Sequence, residues 1–127
     1  LATSMGFRSD LRRVPSFGLG CVAGAAGLAR VADYLAGHPR GVALLVAVEL
    51  CSLTLQWDDA SMANVVGTGI FGDGSAAVVM VGDAHPALAA AERRARVVGS
   101  RSVLYPESGE MIGWRIGGMV LAGAGGR

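Results

Sequence analysis

Apolar residues recur at helical spacing over residues 21–36, with Leu28, Val31, Ala32 and Leu35 three and four positions apart. One apolar face at that period predicts a helix. Gly37 ends it and Pro39 follows, the usual order of a helix stop. Residues 41–48, Gly-Val-Ala-Leu-Leu-Val-Ala-Val, abandon the period and are apolar without alternation. That is the pattern of a strand covered on both faces in a parallel or mixed sheet. Residues 75–81 repeat it after a tight turn at Gly72-Asp73-Gly74. Between the two runs, residues 58–66 predict a short helix. Upstream, residues 12–20 read as a short strand entering a glycine turn, so strand, crossover helix and strand form a first unit. Downstream, residues 86–94 are Ala-rich and read as helix or loop, and residues 96–104 as a strand of mixed facing. The order of elements is that of an α/β protein.

Length and composition narrow the function classes. The 127 residues, 52% hydrophobic and 17% charged, fit one domain or a piece of a larger one that buries a core, not a disordered tail. Leu1 in place of an initiator Met and a Gly/Ala-rich ending lead us to expect a slice of a longer protein. All eleven basic residues are Arg, against ten acids, for a net charge of +1. No basic stripe interleaved with aromatics appears, so nucleic acid is not an expected partner. Mean hydropathy is +0.48, yet no apolar run approaches the roughly 20 residues that span a bilayer, and no membrane partner is expected. With no cationic-then-apolar leader and only two Cys, the expected compartment is the cytoplasm.

Cys21 stands in Gly18-Leu-Gly-Cys-Val-Ala-Gly-Ala-Ala-Gly27, where a predicted strand gives way to a predicted helix. The helix dipole and free backbone N–H groups there favour a thiolate nucleophile, and the glycines leave room for an acyl group. A structural thiol in a tight turn is the other reading, and spacing leaves both open. Cys51, in Glu49-Leu-Cys-Ser-Leu-Thr54, lies past the end of the apolar strand, where α/β sheets place ligands. Cys21, Cys51, His38 and His85 show no metal-ligand spacing; no metal is expected. Gly67-Thr-Gly-Ile-Phe-Gly72 matches a dinucleotide fingerprint by letter, but that loop must follow a strand and open a helix. Here a helix precedes it and a strand follows, so glycines closing a helix-to-strand turn are the favoured account.

Three motifs in order carry a resemblance: Gly18-Leu-Gly-Cys-Val-Ala-Gly-Ala-Ala-Gly27, Val48-Glu-Leu-Cys-Ser-Leu-Thr-Leu-Gln56 and Gly69-Ile-Phe-Gly-Asp-Gly-Ser-Ala-Ala77. Together they resemble the type III polyketide synthases, the chalcone and stilbene synthase family, and most of all bacterial members such as the tetrahydroxynaphthalene synthases. The resemblance implies a thiolase-like α/β fold of layered helix and mixed sheet, here part of the first half, over residues 1–117, with residues 118–127 a tail of uncertain origin. It implies a homodimer, acyl-CoA and malonyl-CoA as substrates, and no cofactor. By the same resemblance Cys21 matches the nucleophile and Phe71 the gatekeeper aromatic. Glu49, Cys51, Leu53, Thr54, Gly67 and Ile70 match cavity-lining positions, and Gly113, in Met111-Ile-Gly-Trp-Arg115, matches a small cavity residue.

The departures are specific. His38, His85 and Asn64 do not fall in the motifs of the family's His and Asn, which supply its oxyanion hole. The sequence is therefore expected to be inactive by itself. Two alternatives stand beside this reading: a ketoacyl-carrier-protein synthase III-like condensing enzyme of fatty-acid synthesis, and a non-catalytic fragment binding nucleotide at residues 67–72.

Overall fold

The computed structural model describes residues 3–89, 95–108, 114–117 and 120–123. Its centre is one helix on one antiparallel strand pair. A 3-10 turn, Gly20–Val22, leads into α1, Ala23–Gly37. His38 closes that helix: its N–H donates to the Leu35 carbonyl at 3.0 Å, its Nδ1 lies 2.8 Å from the Tyr34 carbonyl oxygen, and its ring stacks on Tyr34 at 4.1 Å. Pro39 then forbids another turn.

β1, Val42–Glu49, pairs antiparallel with β2, Gly74–Val81, from Val42 opposite Val81 to Glu49 opposite Gly74. The apolar runs predicted both strands, but not this arrangement. A crossover unit requires a strand before α1, and residues 11–17 pair with no strand among the described residues. Among the described residues, nothing covers both faces of β1. Ala43 and Leu45 are half-buried, while Val42, Leu44, Val46 and Val48 stay exposed. Gly27 marks the close approach of α1 to β1, since a Cβ there would meet Leu45 Cδ1 at 2.8 Å. Leu35 is the buried apolar side chain of this small core.

At the other end of the strand pair, Gly82 is buried beneath the turn after α1. Its N–H donates to the Gly41 carbonyl at 3.0 Å, and Ala84 N–H donates to Pro39 at 2.8 Å. The Pro39 and His38 backbone leaves no room there for a Cβ.

α2 spans Met62–Ile70, four residues later than the acidic Asp58-Asp59 pair suggests. Ser61 is the cap that decides it: its hydroxyl accepts from Asn64 N at 3.2 Å, and its own N–H donates to Asp59 Oδ1 at 2.8 Å. Serine at this position satisfies one of the N–H groups a helix start leaves unpaired. Asn64 in turn ties the preceding loop down, its Nδ2 donating to Gln56 O and Asp59 O at 2.9 and 2.6 Å.

Residues 96–104 form no strand, and residues 86–94 begin with a 3-10 turn, Pro86–Leu88, capped by the His85 ring. Val97, Val98 and Val103 favour extended backbone, but extended backbone becomes a strand only beside a partner. Arg96 instead holds the segment to Asp83 at 3.0 Å. Last come β3, Trp114–Gly117, and β4, Val120–Gly123, a separate antiparallel pair. Part of the expected tail is therefore a strand.

Candidate active site

Cys21 is exposed, in the middle of the 3-10 turn that enters α1. Gly18 and Gly20 on its N-terminal side have φ of +86° and +55°, a region that glycine occupies without the Cβ penalty of other residues. They turn the chain sharply and set the thiol at the start of the helix. No side chain caps the helix there; the Ala23 N–H donates instead to the Gly20 carbonyl, the bond that closes the turn carrying Cys21.

A second group forms where β1 and β2 leave their ladder. Glu49 is the last residue of β1; Cys51, Leu53 and Thr54 follow in a 3-10 turn, Cys51–Thr54. Thr54 Oγ1 donates to the Cys51 carbonyl at 2.9 Å, which tightens that turn. Gly67 and Ile70 lie in the C-terminal half of α2, and Phe71 is its C-cap, with its N–H donating to Gly67 O at 2.9 Å. The Phe71 ring lies over Gly67, where a Cβ would meet Cδ2 at 3.8 Å. Leu53 and Ile70 present largely exposed apolar side chains, at 78% and 72%.

Asp73 joins these two stretches. It accepts from Ser52 N at 2.7 Å and from Ser52 Oγ at 2.6 Å. Those bonds hold its carboxyl below the usual aspartate range. The Cys51 thiol is pushed up, first by burial and then by the Glu49 and Asp73 carboxylates, with a bond from the Gly72 backbone working the other way. Cys51 is therefore a neutral thiol at neutral pH.

Seven of the predicted residues, Glu49, Cys51, Leu53, Thr54, Gly67, Ile70 and Phe71, thus sit on two stretches held together through Ser52, Cys51, Gly72 and Asp73. Cys21 comes from a different element, and Gly113 lies outside the described residues. Sequence reasoning missed Ser52 and Asp73; the expected tight turn at Gly72-Asp73-Gly74 is an open connection that Asp73 anchors. An acid between two glycines, directly before a strand, was the available signal.

The fingerprint reading of residues 67–72 does not survive this geometry. Gly67 and Gly69 lie within the last turns of α2, where the helix presents carbonyl oxygens and the negative end of its dipole, the wrong end for a pyrophosphate. Among the described residues no group of three or more His, Cys, Asp or Glu could hold a metal ion, and no helix is long and apolar enough to cross a membrane. Both Cys are free thiols.

Residues 1–85 match the family described as chalcone and stilbene synthases, N-terminal domain. The chain is 54% identical over 121 residues to 1,3,6,8-tetrahydroxynaphthalene synthase of Streptomyces peucetius subsp. caesius, covering 92% of this chain and 30% of that protein. It is 34% identical over 84 residues to type III polyketide synthase A of Arabidopsis thaliana, covering 65% of this chain and 21% of that one. The crystal structure of 1,3,6,8-tetrahydroxynaphthalene synthase from Streptomyces coelicolor A3(2), a bacterial type III polyketide synthase, superposes with a TM-score of 0.80 at 32% identity, over 96% of this chain and 33% of that one. The chain thus spans about a third of the length of such relatives.

Proposed function

The chain belongs to the chalcone and stilbene synthases, the type III polyketide synthases with a thiolase-like α/β fold, and from that premise we propose that its parent protein is a polyketide-forming acyltransferase with Cys21 as nucleophile. The observation that carries the reading is the exposed Cys21 thiol in its glycine-bounded turn at the entry to α1.

The Cys21 thiolate attacks the carbonyl carbon of an acyl-CoA. The C–S bond to coenzyme A breaks and coenzyme A leaves as a thiolate that takes a proton from solvent, so one thioester replaces another at little cost. Malonyl-CoA then loses CO2, and the electron pair of the broken C–C bond remains as an enolate. The enolate carbon attacks the Cys21 thioester, a new C–C bond forms, and the Cys21 thiolate departs with its electron pair, ready to accept the lengthened chain.

Phe71 and Ile70 supply an apolar wall that favours loss of the charged malonyl carboxylate. Glu49, Cys51, Leu53, Thr54 and Gly67 line the cavity that receives the product, with Gly113 as a further small wall residue. Asn64 is bound to its own loop, and His38 and His85 to local backbone, and none of the three falls in the motifs of the family's oxyanion His and Asn. The substrates are acyl-CoA and malonyl-CoA, the enzyme needs no cofactor, its partner is a second copy of itself, and it works in the cytoplasm.

The test is mass spectrometry of the full-length protein after exposure to an acyl-CoA, followed by malonyl-CoA. The expected result is an acyl adduct on Cys21, then release of CO2 and coenzyme A without a carrier protein. An acyl group on Cys51 would remove the nucleophile assignment, and turnover only of carrier-protein-bound malonyl groups would favour a fatty-acid condensing enzyme instead.

A further inference from the structure

β1 and β2 leave their ladder side by side, because its last pair is Glu49 with Gly74. One departing stretch carries Cys51, Leu53 and Thr54, and the other carries Gly67, Ile70 and Phe71. Beyond Glu49 and Gly74 there is no further strand pairing between them. They are joined by the Asp73 carboxylate on Ser52, at 2.7 Å to the backbone nitrogen and 2.6 Å to the hydroxyl, and by the Gly72 backbone on Cys51. Ser52 and Asp73 are both exposed among the described residues, and their bonds join two backbone stretches.

A charged acceptor bound at two points fixes orientation as well as distance. Removing either point lets the 3-10 turn, Cys51–Thr54, pivot relative to the Phe71 loop. The geometry points to Asp73 and Ser52 as positioning residues that set the gap between the Cys51 wall and the Phe71 ring, and through that gap the length of product chain the cavity admits. This rests on the condensing-enzyme reading above. Held ionised by Ser52, Asp73 maintains the clamp throughout the neutral range.

The experiment compares Asp73→Ala, Ser52→Ala and Ser52→Thr in the full-length protein. Asp73→Ala is expected to change the ratio of short to long products and to slow extension on the order of tenfold, as small misplacements of reacting groups do. Loading of Cys21 should fall by less than about threefold, since Cys21 sits on another element. Ser52→Ala should shift products in the same direction and Ser52→Thr should restore them, because threonine keeps the hydroxyl. A second readout does not depend on activity: iodoacetamide labelling of Cys51 should speed up in Asp73→Ala and Ser52→Ala but not in Ser52→Thr.

An unchanged product ratio in Asp73→Ala, or equal effects of Ser52→Ala and Ser52→Thr, overturns the inference. Should Asp73→Ala fail to fold, a native product ratio in Ser52→Ala overturns it as well. Wild-type protein that never loads Cys21 would sink the functional reading alone, and the Cys51 labelling contrast would still decide the clamp.

Discussion

Asp73 grips Ser52 with both carboxylate oxygens across 21 residues of sequence, at the open end of the β1–β2 ladder. Its carboxyl is held below the usual range by those bonds. A depressed folded value stabilises the fold fully above the ordinary aspartate pKa of about 3.9, and that stabilisation is lost as pH falls through the lower, folded value. The stability difference between the wild-type full-length protein and Asp73→Asn should therefore be flat from about pH 7 to about pH 5 and shrink toward about pH 3. Denaturant midpoints across that range measure it, and a difference independent of pH would separate Asp73 ionisation from the clamp.

Phe71→Ala should change decarboxylation and product spectrum far more than stability. The ring rests on Gly67 and a gatekeeper acts on bound substrate rather than on the fold, so its truncation should cost less than the roughly 3–5 kcal/mol of a core phenylalanine. Melting temperature and products per folded molecule, measured together on the full-length variant, check this. A large drop in the first with no change in the second would make Phe71 a packing residue.

What could be read in the sequence divides along a physical line. α1, β1 and β2 were legible because each is announced within its own segment, by helical period or by an unbroken apolar run. The sequence places α2 four residues early, over residues 58–66, whereas Asp59 spends its carboxylate on the Ser61 N–H and Ser61 becomes the cap. The antiparallel partnership of β1 and β2 was not legible, since apolar runs carry no record of their neighbours. Ser52 and Asp73 were missed for the same reason: only the register brings them together. In the candidate site, Cys21 and Phe71 rested on motif resemblance, and local geometry added the glycine turn at positive φ that presents the thiol.

Gly82→Ala should cost about 1–3 kcal/mol in the full-length protein, the usual range for overpacking. The obstacle at Gly82 is the Pro39 and His38 backbone, which cannot yield without breaking the turn that joins α1 to β1. Gly27→Ala faces only the methyl ends of Leu45, which can swing aside, and alanine favours a helix by up to about 1 kcal/mol over glycine. It should be closer to neutral. Chemical denaturation of both variants checks the order, and a Gly27→Ala protein less stable than Gly82→Ala would reverse it.

Cys21 should be alkylated before Cys51. Cys21 is exposed at the surface of its turn, while Cys51 is half-buried and its thiol is pushed up by burial and by the Glu49 and Asp73 carboxylates. The thiolate is the reacting species, so raising pH should accelerate Cys51 labelling past the pH at which an ordinary thiol levels off. Peptide mapping after brief iodoacetamide treatment of the full-length protein near neutral pH measures both sites at once. If Cys21 is the nucleophile, activity should disappear in step with its labelling, and prior acyl-CoA should protect it. Cys21→Ala should abolish starter loading, whereas Cys51→Thr should leave loading intact and alter at most the chain length, because it changes a cavity wall and keeps Ser52 and Asp73 in place. A Cys21→Ala protein that still forms and extends a covalent acyl adduct would break the assignment at its root.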